Sequence, residues 1–324
     1  MTNATFTISL DCELYWGVRD RRDLNSYREN LLGDRQVTDY LLNLFSTYQI
    51  HATWAFVGFL FFCDKKELMA YLPEVLPSYN DTRLNPYSAI ADIGDNEAED
   101  PFHYGQSLIE KVMRYPHQEI GSHTFSHYYC LEHGQTKAQF TADLLAAKRA
   151  AERLNIHLRS LVFPRNQLNA EYLTVCQELG FLAFRGNEKS WFYDPSSLKE
   201  QSLLRRGGRL CDTYLNISGH HCHNLFSPKA ELVDVPSSRF LRPYSKKLKN
   251  LEPLRLGRIK NSMTFAAQHR LNYHLWWHPH NFGVNMQENL AFLTAILDHY
   301  TFLNRQYNMQ STTMLEAANL NRVA

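Results

Sequence analysis

The sequence contains no apolar run approaching a membrane span: its longest, Trp54 to Phe62, is nine residues against the roughly 18 required. A bilayer-crossing role is excluded on that reading. There is no Cys-x-x-Cys pair, and Cys12, Cys63, Cys130, Cys176, Cys211 and Cys222 are scattered among apolar neighbours, so reduced, mostly buried thiols are expected and no disulfide framework. Charge of one sign is equally absent. Lys plus Arg total 34 against 33 Asp plus Glu, and the net charge of +1 lacks the basic excess that phosphate-backbone binding requires, so nucleic acid is not the expected partner. No Gly/Ser, Gln or Pro tract marks a linker, and no basic segment precedes Thr5, so a secretory signal is not visible and a cytoplasmic location is expected.

What is present is a 324-residue chain, 44% hydrophobic and 21% charged, read as a single globular unit over residues 1–324. Short β-rich runs alternate with helical stretches. Strands are expected at Thr5–Leu10, Ala52–Gly58, Glu119–His123, Leu161–Phe163, Phe181–Phe184, Leu232–Val235 and Tyr273–Trp277. Helices are expected near Asp34–Tyr48, Lys65–Leu72, Gly105–Tyr115, Lys137–Leu154, Ala170–Leu179, Ser245–Leu254 and Met286–Tyr300. The alternation predicts an α/β fold with a mostly parallel sheet wrapped by helices. Thr136 with Gln139 reads as a capping box, Asn285 with Glu288 as a similar start, and Gly180 as a helix stop. Tyr79–Phe102 and Lys189–Pro228 read as long loops, where specificity resides on regular scaffolds.

Histidine is abundant, with 15 copies, and it clusters at strand ends. In Glu119-Ile-Gly-Ser-His123-Thr-Phe-Ser-His127, a turn into helix at Ser122 would put both imidazoles on one face, within reach of one ion; two capping or surface histidines are the plain alternative. At the first strand's end, Asp11 and Glu13 share a face because strand side chains alternate, and Cys12 turns to the other wall. Solvated charges or helix caps would look the same locally. The last strand ends in Trp277-His278-Pro279-His280, and a fourth strand end supplies Pro164-Arg165-Asn166. Trp16, Trp276 and Trp277 are candidates for stacking on sugar rings, but only one of the adjacent pair can line a site, and Trp277 is assigned to it. Arg185, Arg239 and Arg242 can meet anionic substrate groups or form surface ion pairs. His220-His221-Cys222-His223 reads as a solvated or substrate-facing loop rather than a second zinc site.

Taken in order, Ser9-Leu-Asp11-Cys-Glu13, Ser-His123-Thr-Phe-Ser-His127, Phe-Pro164-Arg165-Asn166 and Trp277-His278-Pro resemble the motifs of the polysaccharide deacetylases, carbohydrate esterase family 4 or the NodB homology domain. The resemblance implies a distorted (β/α)7 barrel and a divalent ion, most simply Zn2+ for a nitrogen-rich set, on His123 and His127. Asp11 would be the general base and His278 the general acid. Three positions depart from the family pattern. Asp11-Cys12-Glu13 replaces adjacent aspartates, and Glu13 is assigned as the third metal ligand on the same-face argument. Val162 stands where the family has an arginine, leaving Arg165 as the nearest guanidinium to orient Asp11. No acidic partner for His278 is visible. The expected substrate is an N-acetylated amino sugar or glycan precursor in surface-polysaccharide assembly, with Trp16, Asn166, Arg185, Trp277 and His280 contacting it. A small amide or cyclic imide, or a catalytically inactive carbohydrate-binding barrel, are the alternatives, and the sequence leaves the oligomeric state open.

Overall fold

The computed structural model describes residues 3–191, 193–194, 203–225 and 230–323. Its strands are β1 (Thr5–Cys12), β2 (Ala52–Phe56), β3 (Gln118–Ser122), β4 (Ser160–Val162), β5 (Ala183–Arg185), β6 (Val233–Asp234), β7 (Arg239–Phe240), β8 (Asn272–Trp277) and β9 (Gln310–Thr312). All named pairings are parallel, in the order β6-β5-β4-β3-β2-β1-β8-β7, with β9 beside the start of β1. Parallel strands covered on both faces are apolar throughout, and β1, β2 and β8 are buried along their whole length.

The run from Val233 to Leu241 joins the sheet's two ends. Its first half donates to β5 and the residues flanking it, Val233 N to Leu182 O at 2.9 Å and Ser237 N to Gly186 O at 2.9 Å. Its second half donates to β8, Ser238 N to His274 O and Leu241 N to Trp276 O, each at 2.8 Å. Strands β6 and β7 are thus two pieces of one stave, and the expected seven-stave barrel is present in distorted form. All seven expected strands occur. The two-residue β7 and the three-residue β9 carry too little periodicity to be read from sequence.

The helices are α1 (Leu24–Tyr48), α2 (Lys65–Ala70), α3 (Gln106–Met113), α4 (Lys137–Glu152), α5 (Leu173–Glu178), α6 (Leu203–Tyr214), α7 (Glu252–His269), α8 (Met286–Tyr307) and α9 (Met314–Val323). The Thr136 capping box forms, and Gly180 closes α5 at φ +79°. Asn285 does not cap: it is left-handed, with no side-chain bond to the helix. Helix α1 begins at Leu24 rather than near Asp34, because Asp23 accepts from Ser26 N at 3.0 Å. Helix α7 runs well beyond Leu254, since Pro253 occupies its first turn, where no N–H is needed. Helices α6 and α9 were not expected; α6 lies in the Lys189–Pro228 segment, whose last residues fall outside the described ones.

Alternation sorts the barrel wall. Thr7, Ser9 and Asp11 of β1 point inward, while Phe6, Ile8, Leu10 and Cys12 join the core beneath the helices. The lower interior is closed by Met314, Ala317 and Ala318 of α9, packed on Ala55, Val162, Ala183, Val233 and Val235. Among the described residues, the barrel opens at the end reached by the strands' C-termini, the end where barrel enzymes carry their chemistry. Cys12, Cys130 and Cys176 are buried free thiols, whereas Cys63 and Cys211 are exposed.

Candidate active site

Asp11 closes the inward row of β1 and is 2% exposed. Its carboxylate receives both ends of the Arg185 guanidinium, Nη1 to Oδ1 at 2.6 Å and Nη2 to Oδ2 at 2.7 Å. Burial works to raise the Asp11 pKa, but the guanidinium outweighs it and the carboxyl lies below its ordinary range. Glu13 follows the strand and folds back over the turn Leu14–Gly17. A Cβ at residue 17 would lie 1.9 Å from the Glu13 carboxyl carbon, so only glycine leaves room for this carboxylate.

His123 and His127 flank a loop, not the expected helix. Thr124 and His127 have φ of 62° and 57°, and the loop is pinned by Asp143 of α4, which accepts from Phe125 N at 2.6 Å, Ser126 N at 3.1 Å and the Ser126 hydroxyl. The Thr124 hydroxyl accepts from Tyr128 N at 2.7 Å. Side-chain acceptors have taken the backbone bonds that a helix would need.

These constraints aim two imidazole nitrogens at Glu13. His123 Nδ1 donates to Val162 O at 2.9 Å, which leaves Nε2 as a bare lone pair, 3.5 Å from Glu13 Oε2 and without a hydrogen-bond partner although fully buried. His127 Nδ1 pairs with the Tyr129 hydroxyl at 3.1 Å, and its Nε2 lies 3.0 Å from the same Glu13 oxygen. Burial lowers the His127 pKa to about 4, so the ring is neutral at pH 7. Both Nε2 atoms face the same buried carboxylate oxygen, an arrangement that a shared cation would satisfy. Two imidazoles with outer nitrogens tied down, plus one carboxylate, are a donor set that fits a divalent ion with open positions.

Around this set stand the other polar groups. His278 Nε2 lies 3.8 Å from Asp11 Oδ2 and 3.7 Å from Glu13 Oε1. Its partner is an amide, not an acid. Tyr27 donates to Asn281 Oδ1 at 3.3 Å, which turns Asn281 Nδ2 toward His278 Nδ1 at 3.2 Å and presents the Nε2–H of His278 to Asp11 and Glu13. His280 is buried beneath His278, rings 5.1 Å apart, with Nε2 3.9 Å from Glu13 Oε1; burial and His278 push its pKa down to about 3. Asp11, Glu13, His278 and His280 open into a cleft of about 460 Å³, shared with Trp276, Phe240 and several arginines.

Four assignments need correction. Arg165 does not orient Asp11: it sits in a left-handed turn (φ 56°), pairs with Asp20 and lies over the Tyr129 ring at 4.4 Å. Arg185 does that work instead of meeting substrate, and Asn166 Oδ1 accepts from Arg185 Nη2 at 3.0 Å. Trp16 is fully buried, with Nε1 donating to His103 O at 2.8 Å and the ring against Phe59, so it cannot stack on a sugar. Trp277 is also fully buried, between Phe45 and Phe282; Trp276 is the member of the pair that lines the cleft. His220 and His221 are engaged separately, by Ser262 at 3.0 Å and Ser218 at 2.6 Å. Sequence reading passed over His274, inside the barrel, where Nε2 meets Ser9 Oγ at 2.8 Å and Nδ1 donates to Val235 O at 3.0 Å. Its even spacing from His278 was the available signal.

The family model described as polysaccharide deacetylase matches residues 32–184, a segment holding His123, His127 and Pro164-Arg165-Asn166 but not Asp11, Glu13 or His278. No curated protein matches the chain by sequence. Among solved structures, a Mycobacterium smegmatis protein described as a polysaccharide deacetylase is similar in fold at TM-score 0.55 and 13% identity, over 99% of this chain and 91% of that one. The Puue allantoinase is similar at TM-score 0.55 and 11% identity, over 99% and 91%. A Pseudomonas aeruginosa PAO1 protein, also described as a polysaccharide deacetylase, is similar at TM-score 0.51 and 11% identity, over 98% and 91%. At these identities the likeness establishes the fold.

Proposed function

The chain belongs to the polysaccharide deacetylase family, and we propose that it is a metal-dependent hydrolase that removes an N-acetyl group from an amino sugar or glycan precursor in surface-polysaccharide assembly. The observation that carries this reading is the convergence of Glu13, His123 Nε2 and His127 Nε2 beside the Asp11–Arg185 pair and His278, at the open end of the barrel. Glu13, His123 and His127 would hold a divalent ion, zinc by the nitrogen content of the set, and when bound it would supply Lewis-acid polarisation of the acyl carbonyl and a lowered pKa for water.

The protein groups supply the rest. Asp11, held ionised, accepts the proton of the attacking water, and the two-point Arg185 contact fixes where its oxygens lie. His278 presents its Nε2–H where the departing amine needs a proton. Trp276 and Phe240, with ring centroids 4.7 Å apart, offer the aromatic surface for a sugar face. The cleft volume of about 460 Å³ suits one or two sugar rings rather than a length of polymer.

The test is acetate release by the zinc-loaded protein from N-acetylated amino sugars, run beside small amides and cyclic imides. Release from the sugars alone, abolished by chelation and restored by zinc, is expected. Turnover of a cyclic imide without acetate release would move the activity to the small-amide class, and glycan binding without turnover or metal would make the barrel a binding protein.

A further inference from the structure

The cleft wall beyond the proposed metal ligands is strongly basic in a chain whose net charge is only +1. Arg21, Arg165, Arg209, Arg239 and Arg242 all line it. They come from four separate places: the turn after β1, the turn after β4, helix α6, and the stretch beginning at β7. The carboxylates sharing the cleft do not balance them. Asp11 is taken by Arg185, Glu13 by the histidines, and Asp194 lies 3.7 Å from Arg205. Glu188, buried and within electrostatic reach of Arg239 and Arg185, is one carboxylate against several guanidiniums.

Two of the guanidiniums are fixed by carboxylates behind the wall and add their charge to it, each keeping one buried nitrogen unpaired. Arg165 gives one nitrogen to Asp20, and its buried Nη1 has no partner. Arg239 gives Nη1 to Asp212 at 2.6 Å, and its buried Nη2 has no partner. Arg21 and Arg242 have no carboxylate partner among the described residues; Arg242 is held only through Nε, which donates to Thr213 Oγ1 at 3.1 Å. Like charges gathered in a half-buried wall repel one another, and the Arg21 and Arg242 pKa values are lowered, first by burial and then in part by neighbouring arginines. An occupant of the cleft that brings negative charge removes that repulsion, and the Arg21 and Arg242 guanidiniums keep N–H groups to donate to it.

We infer that the cleft is built for a phosphorylated sugar, with the phosphate held by the arginine wall of Arg21, Arg239 and Arg242 while the sugar's acyl group reaches Asp11 and His278. A phosphate ester carries roughly −1.5 to −2 charges and three acceptor oxygens, which matches several converging guanidiniums better than a single carboxylate does. The acylated-sugar half of this inference rests on the proposed deacetylase function, whereas the phosphate half rests on the wall alone.

The two halves are separated by calorimetric titration of the full chain with glucose, glucose 1-phosphate and glucuronate, none of which carries an acetyl group. Glucose 1-phosphate is expected to bind at least about tenfold more tightly than glucose, with an advantage that shrinks as salt rises from about 50 to about 300 mM. The Arg21→Gln/Arg242→Gln protein, checked for an unchanged melting temperature, is expected to lose about tenfold on glucose 1-phosphate and less than about twofold on glucose. Equal affinity for glucose and glucose 1-phosphate, or an unchanged preference in the double variant, overturns the inference. Glucuronate binding as tightly as glucose 1-phosphate overturns the phosphate assignment in favour of a carboxylate. Selective glucose 1-phosphate binding in a protein that releases no acetate from any N-acetyl sugar leaves the phosphate site standing and removes the deacetylase reading.

Discussion

Two His-His-Glu clusters lie at opposite ends of β3. One is Glu13 with His123 and His127, past the strand's C-terminus; the other is His51, His117 and Glu316, at the N-terminal ends of β2 and β3 and on α9. Both have the same residue types within reach of one another, yet their geometry differs. At the closed end, the His51 and His117 rings are stacked, 4.0 Å apart and only 8° from parallel. A ligand nitrogen's lone pair lies in its ring plane, and two stacked parallel planes share no point where one ion satisfies both. At the open end the planes meet at 60°, centroids 5.0 Å apart, and the outer nitrogens are anchored by Val162 O and the Tyr129 hydroxyl. Composition is therefore a poor guide to a metal site. Convergent lone pairs decide it.

The comparison is broken most directly by paired substitutions. His123→Ala/His127→Ala is expected to lose stoichiometric metal and to reduce acetate release to background, about 10³-fold or more, whereas His51→Ala/His117→Ala keeps both within about twofold. Metal analysis alongside the activity assay reads this. Metal retained by the first pair and lost by the second would reverse the assignment.

Next in size is Asp11. Asp11→Asn keeps the shape and removes basicity, so turnover should fall about 10²–10⁴-fold with metal content nearly unchanged. Should the metal leave instead, Asp11 is a ligand. Its partner sharpens the point: Arg185→Met strands a buried carboxylate and should cost about 3–5 kcal/mol of stability by chemical denaturation. Because the guanidinium is what holds the Asp11 pKa down, the acid limb of the activity profile should move to higher pH in that variant. Arg165→Met leaves Asp11 untouched and should leave the profile where it is.

A smaller effect is expected at His278. An acid matters only while the amine departs, so His278→Ala should lower turnover of an N-acetyl sugar about 10²-fold and spare an activated acetyl ester. Equal losses on the two substrates would take His278 out of the acid role. His280→Ala should chiefly raise KM.

Smallest is a difference in the sign of pH dependence between two buried acids at opposite ends. Asp11 is stabilised as the anion, so its contribution to stability is present above its unfolded pKa of 3.8 and lost as pH falls through the lower folded value. Glu119, at the closed end, is bonded by Thr53 Oγ1 at 2.7 Å, Leu315 N at 3.2 Å and the Ser160 hydroxyl at 2.5 Å, and among the described residues by no cation. Burial raises its pKa, so its contribution is present below the unfolded 4.5 and lost as pH rises through the higher folded value. Glu119→Gln should therefore narrow the fall in melting temperature between pH 5 and pH 8. A fall as large as that of the parent protein would show that Glu119 does not titrate in this range.

Much of the site was legible because it obeys local rules. Asp11 reaches the barrel interior by alternation, Glu13 lies just past the same strand end, and Thr136 with Gln139 caps α4 as three-residue spacing requires. The Trp276–Trp277 choice was legible too, and the expectation took the wrong member: His278 lines the cleft, so by period two Trp276 shares its face, and Trp277 belongs to the core beside Phe45. The helix imagined over His123–His127 failed for a different reason, since the carboxylate that pins the loop, Asp143, lies 16 residues beyond His127.

The sequence by itself determined the alternation of strands and helices, the row of inward side chains on β1, and the residue types gathered at four strand ends, since each follows from backbone periodicity within a few residues. Only the tertiary structure decided which guanidinium reaches Asp11. Arg165 stands in the motif and Arg185 lies 174 residues from its partner, yet a salt bridge depends on separation in space and on the direction a strand gives its last side chain. Tertiary structure likewise decided that His123 offers Nε2 and not Nδ1, because the carbonyl that holds its other nitrogen belongs to Val162, on a neighbouring stave of the barrel. A tautomer is set by the hydrogen bond at the opposite nitrogen, and that bond exists only after the strands have paired.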